Sequence, residues 1–76
     1  RYAWFRMQDS VRQECLINLC FNIGLTGILR FKKMIACLEA RNPEGAAEEL
    51  LDSRYSEQVG NRALDLAYML REGVYP

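Results

Sequence analysis

The 76-residue chain contains no histidine. That absence excludes Ser–His and Cys–His nucleophile systems within the chain. It also removes the commonest side-chain ligand of transition metals. Cysteine is sparse and odd in number: Cys15, Cys20 and Cys37. All three sit in apolar helical segments, and a five-residue spacing puts Cys15 and Cys20 on different helix faces. Neither a disulfide framework nor a zinc site is expected, and the three read as small buried hydrophobes with free thiols. Net charge is absent too, ten basic residues balancing ten acidic ones. Bulk electrostatics therefore give no reason to expect nucleic acid as a partner. No run approaches the ~18 apolar residues of a membrane span, and no secretory signal is visible. No glycine motif that would cradle a phosphate is present. Strand signals are nearly missing, because no stretch alternates apolar and polar residues with β-branched enrichment.

What is there is apolar residues at helical spacing. Half the chain is hydrophobic and 26% is charged, the balance of a folded soluble domain of modest core size. The first eight residues are aromatic-rich and read as a short helix or helix end. Tyr2, Trp4, Phe5 and Met7 are too apolar for a free terminus, so they are expected to be covered, by folding back or by self-association through Tyr2, Trp4 and Phe5. Ser10 with Gln13 reads as a capping box. The run Cys15 to Phe21 is apolar on nearly every side, which predicts a buried helix over 10–23. Asn18 in its middle should then hydrogen-bond to a neighbouring helix. Gly24 ends this helix, and a short helical piece runs from Leu25 to Arg30.

Phe31, Met34, Ile35 and Leu38 share one helical face, with Lys32, Lys33, Glu39 and Arg41 opposite. Asn42-Pro43-Glu44 is a helix start: an Asn cap, a Pro in the first turn and an acid at the positive end. Ala46, Ala47, Leu50 and Leu51 form the buried stripe that follows. A turn or short helix at Ser53–Gln58 leads to Gly60. Ala63, Leu66, Ala67 and Leu70 define the last helix, which Gly73 stops. The expected fold is all-α: a compact multi-helix bundle around a buried central helix, with short loops between neighbours. The acids show no catalytic pair. Glu44, Glu48 and Glu49 lie on one helix, whereas glycoside hydrolysis needs two carboxyl groups facing each other across a cleft. No cofactor is called for. From composition and periodicity the reading stops at a small helical bundle.

Two stretches carry more. Asp9 to Gly24, DSVRQECLINLCFNIG, resembles the central helix of the C-terminal lobe in phage-type lysozymes of glycoside hydrolase family 24, the T-even phage group. The likeness continues without gaps. Thr26-Gly27 and Phe31 fall in register, and Glu44-Gly45-Ala46-Ala47 resembles the family's Asp-Glu-Ala-Ala helix start. Ser53-Arg54-Tyr55 resembles its Ser-Arg-Trp. Gln58 and Asn61-Arg62-Ala63 resemble its Gln and Asn-Arg-Ala, and Arg71, Gly73 and Tyr75 fit its C-terminal turn. The resemblance implies that residues 1–9 end an inter-lobe segment and that 10–76 form the C-terminal helical lobe. It implies a muramidase that cleaves the β-1,4 bond between N-acetylmuramic acid and N-acetylglucosamine with inversion. A glutamic acid protonates the leaving oxygen while water attacks from the other side.

The resemblance places that glutamate, and the aspartate and threonine that act with it, in an N-terminal lobe outside these 76 residues. That lobe and the peptidoglycan strand are the partners it implies. A chain opening on Arg1 rather than methionine reads as a piece of a longer protein; if that protein is a phage lysozyme, the resemblance implies synthesis in the host bacterium's cytoplasm and action on the cell wall. Arg62 is implied to pair with the glutamate across the cleft. Phe21 and Asn22 are implied at the cleft floor, with Asn22 one methylene shorter than the family's glutamine. Glu49, in place of an asparagine, and Leu50 are implied to line the cleft, with Arg54 at its edge and Phe31 packed beneath. Phe21, Asn22, Leu50, Arg54 and Arg62 together should share a shallow groove. The alternative is a non-catalytic wall-binding or helical interaction module on the same scaffold.

Overall fold

The computed structural model describes residues 2–76, the side chains of Gln58 and Val59 excepted. Six helices follow one another: α1 (Ala3–Arg6), α2 (Ser10–Leu29), α3 (Lys32–Glu39), α4 (Pro43–Leu51), α5 (Arg54–Val59) and α6 (Asn61–Glu72). The all-α class expected from periodicity is what is found, with no strand among the described residues. The most extensive helix pairing is α4 against α6, with α3 on α4 and α2 on α6.

Local chemistry sets the boundaries. Asp9, not Ser10, caps α2: one carboxylate oxygen accepts from the Arg12 backbone N–H at 2.9 Å. The expected Ser10–Gln13 box does not form, and Gln13 Nε2 donates instead to the Phe5 carbonyl. A carboxylate one residue earlier is a stronger acceptor than a hydroxyl for the free amides at a helix start. Gly24 breaks α2 as expected, at φ 78 and ψ 163, a backbone conformation open in practice to glycine. A second bend of 97° separates α2 from α3, and no single helix is long and apolar enough to cross a membrane. Asn42 caps α4, its side-chain oxygen accepting from Gly45 N–H at 3.1 Å, with Pro43 and Glu44 in the first turn. Ser53 caps α5, and Gly73 stops α6 in the left-handed conformation.

One core takes residues from every helix: Trp4, Cys15, Leu16, Leu19, Ile28, Met34, Leu38, Ala46, Ala47, Leu50, Tyr55, Ala63, Leu66, Ala67, Met69 and Leu70. The alanines of α4 and α6 let those two helices approach closely. Trp4 is only 8% exposed, and Tyr2 and Phe5 pack against the same core. Folding back thus buries Trp4 and leaves Tyr2 and Phe5 half-buried.

The central helix departs from the expectation of all-round burial. Cys15, Leu16 and Leu19 face inward, but Ile17 is 46% and Phe21 86% exposed. Asn18 is half-buried and donates to the Glu14 carbonyl of its own helix at 3.1 Å, not to a neighbour. With one side of α2 open, the amide needs no partner across the bundle. A long-range tie closes the molecule. Arg12 donates through Nε to the Leu70 carbonyl at 2.7 Å and through Nη2 to the Arg71 carbonyl at 2.8 Å. Nη1 meets Asp9 at 2.8 Å. The guanidinium fork thus satisfies two carbonyls at the end of α6, where the helix leaves them without partners.

Candidate functional site

Phe21, Asn22, Leu50, Arg54 and Arg62 were expected to share a groove, with Glu49 implied to line the same cleft, and their placements differ. Phe21 and Asn22 lie on the last turn of α2 before Gly24, both exposed. Asn22 turns back on its own helix, its Nδ2 donating to the Asn18 carbonyl at 2.8 Å. Glu49 and Leu50 lie near the end of α4, Arg54 opens α5, and Arg62 is the second residue of α6. Leu50 needs a correction. It is completely buried, so its side chain is core and offers no surface to a ligand. Its place in the α4 stripe, beside Ala46 and Ala47, accounts for this: a leucine on the inward face of a helix packed against α6 is removed from water. Arg54 and Arg62 are exposed, while Glu49 is half-buried.

Glu49 lines a cavity of about 360 Å³ together with Arg30, Phe31, Lys32, Lys33, Met34, Asp52 and Ser53. None of the other five expected positions lines it. Phe31 does belong here, with Met34 beneath. The cavity brings three cations from the α2–α3 bend opposite two carboxylates from the end of α4. No ion pair links them among the described residues. Such a surface suits a ligand bearing hydroxyl, amide and charged groups together. Ser53 is held by its hydroxyl donating to the Leu50 carbonyl at 2.6 Å. Lys32 and Lys33 are exposed, on the face opposite the apolar stripe as expected, but periodicity does not show that they border a hollow. The run Arg30-Phe31-Lys32-Lys33, basic residues flanking an aromatic, was the available signal.

Tyr55 is the other residue that sequence reading passed over. It is 7% exposed, and its hydroxyl oxygen is buried with no hydrogen-bond partner among the described residues. Burial pushes its pKa up, and the adjacent Arg62 guanidinium pulls it back. Gln58, part of the second resemblance motif, has its side chain outside the described residues. Among the described residues no three metal-ligating side chains converge.

The described residues form an all-α unit with a hollow lined by both acidic and basic side chains. The comparisons with known proteins give that unit a lysozyme-like relationship. The chain is similar to Probable T4-type lysozyme 1 of Dictyostelium discoideum, at 26% identity over 69 residues. That alignment covers 91% of this chain and 41% of the relative, so the chain spans about two-fifths of that protein's length. No protein-family model matches the chain, and no solved structure matches it.

Proposed function

We propose that this chain is the C-terminal helical lobe of a phage-type lysozyme of glycoside hydrolase family 24. On this reading it forms one wall of a cleft that binds a peptidoglycan strand. The observation that carries the reading is the alignment with a T4-type lysozyme across 91% of the chain, at 41% of that protein's length. An alignment that runs nearly end to end on the shorter chain, and covers a minor part of the longer one, is what one lobe of a two-lobed enzyme gives. The charged hollow around Glu49 supports it, because a glycan with peptide stems carries hydroxyl, amide, carboxylate and amino groups together.

The chemistry divides between the lobes. The general acid is a glutamate of the other lobe, and this lobe supplies Arg62 opposite it. A guanidinium there orients the carboxyl group by a forked hydrogen bond. It also stabilises the carboxylate left once the proton has passed to the leaving oxygen. Glu49, Arg54, Phe21 and Asn22 line or edge the same cleft. Muramidase activity on the β-1,4 bond next to N-acetylmuramic acid then belongs to the two lobes together.

The test compares the 76-residue chain with the complete product of its gene on suspensions of bacterial cell wall. The complete product is expected to clear the suspension and the chain alone to leave it turbid. Clearing by the chain alone, or an inert complete product, would overturn the reading. Titration of the chain with muropeptides, followed by amide NMR, should move the signals of Glu49, Arg54 and Arg62. A wall-binding module without catalysis would give those shifts while its complete product leaves wall suspensions intact.

A further inference from the structure

A cavity of about 320 Å³ lies where the connection from α1 to α2 meets the turn from α3 to α4. Its volume is at the lower end of what small-molecule sites have. Met7, Leu38 and Pro43 give it apolar walls, and Leu38 belongs to the core. Its charged lining among the described residues is one carboxylate, Asp9, and two guanidinium groups, Arg12 and Arg41. Asp9 and Arg12 pair at 2.8 Å. Arg41 has no ion pair among the described residues. The lining is therefore left with one positive charge.

The two arginines are held in different ways. The Arg12 guanidinium is fixed before any ligand arrives, by the Leu70 and Arg71 carbonyls and by Asp9. These bonds leave Nη1 and Nη2 a further hydrogen each to donate. Arg41 follows the C-cap of α3, with its backbone at φ 59. Its N–H donates to the Leu38 carbonyl at 3.2 Å, and that of Asn42 to the Cys37 carbonyl at 2.8 Å. Such a helix ending ordinarily takes glycine, which has no steric cost in left-handed backbone. An arginine there is strained, and strain of this kind gathers at sites that clamp ligands. Asn42 spends its Oδ1 on the Gly45 amide and keeps its Nδ2 hydrogens as donors.

We propose that this cavity binds a small organic carboxylate with an apolar side chain. Arg41 and Arg12 meet the carboxylate, with Asn42 beside them, and the side chain lies on Met7, Leu38 and Pro43. A guanidinium takes a carboxylate through paired N–H···O bonds. One negative charge balances the lining, whereas a doubly charged phosphate would exceed it and leave the apolar walls without a contact. The group occurs both in simple carboxylic acids and at the C-terminal end of a peptide. Phe21, Asn22, Glu49, Arg54 and Arg62 do not line this cavity, so binding here is independent of the lysozyme reading.

The test follows the amide signals of the ¹⁵N-labelled 76-residue chain during titration with isocaproate, with N-acetyl-leucine as the peptide-end form, and with isocaproamide as the neutral counterpart. One or both acids should shift Met7, Leu38, Arg41 and Asn42 saturably, with a dissociation constant of about millimolar order for so small a ligand. The acid that binds more tightly identifies the source of the carboxylate. Isocaproamide should bind at least about tenfold more weakly, because it lacks the charge. Arg41→Gln should weaken the acid by a similar factor. Arg41→Gly should weaken it too, yet raise the melting temperature by relieving the backbone. Affinity and stability moving in opposite directions is not what a merely structural arginine gives. The proposal is overturned if neither acid gives saturable shifts up to about 50 mM, if the amide binds as tightly as the acid, or if Arg41→Gln binds as well as the unaltered chain.

Discussion

At the scale of single residues, burial decides what chemistry remains. Cys15 is completely buried and its thiol donates to the Leu66 carbonyl. Burial pushes its pKa from 9.0 up to about 12. The thiolate is the nucleophile, so Cys15 should resist alkylation in the native chain. Iodoacetamide at pH 8 is expected to modify Cys20 and Cys37, both half-buried, well before Cys15. Peptide mapping that finds all three labelled at one rate would contradict this. The same shift has a stability consequence. A folded-state pKa above the unfolded one means that the proton is held more tightly in the native state. The contribution is complete below about pH 9 and is lost as pH rises toward about 12. Over that window it falls by up to about 1.4 kcal/mol per pH unit. Urea unfolding at stepped alkaline pH should show the loss, and Cys15→Ala should remove part of it. Tyr55, raised by burial as well, acts in the same direction.

Among the elements, caps and breaks were the features most legible in advance. Asn42-Pro43-Glu44 announced α4 because each residue type does its work within one turn. Asn42→Ala should therefore cost about 1 kcal/mol, measured by thermal or urea unfolding. Gly24 announced the break in α2, and the structure adds the reason: its backbone lies at φ 78. A Cβ there meets nothing within 4 Å, so Gly24→Ala is a test of backbone strain alone and should cost about 1–3 kcal/mol. Arg41, at φ 59, is a non-glycine residue in left-handed backbone. Arg41→Gly should move stability the other way, by up to about 1 kcal/mol. Equal signs for the two would show that the α2 and α3 ends differ from the conformations described. Less legible was which face of α2 would be open. A run of apolar residues on every side carries no phase, so Phe21 and Leu19 look alike until neighbouring helices choose between them.

For the whole molecule, the division between core and surface separates two kinds of expected site residue. Leu50→Ala should destabilise the chain by about 2–5 kcal/mol, because it empties a filled position between α4 and α6. Arg54→Ala, at an exposed position, should stay within about 0.5 kcal/mol. A melting comparison of the two checks this, and any activity change in a Leu50 variant has to be read against its lost stability. Arg12→Met should cost about 2–3 kcal/mol, since charge-assisted bonds to the end of α6 disappear.

The amino-acid sequence by itself determined the helical class, the positions of most helix ends and the inward stripes of α3, α4 and α6. It did so because these follow from periodicities and caps that act within a few residues. Only the tertiary structure decided that Arg12 would clasp carbonyls 58 and 59 residues away. It also decided that Arg30, Lys32 and Lys33 would line one hollow with Glu49 and Asp52, and that Tyr55 would bury its hydroxyl. Those pairings depend on which helix faces meet, and local sequence carries no record of the distance between elements until they pack.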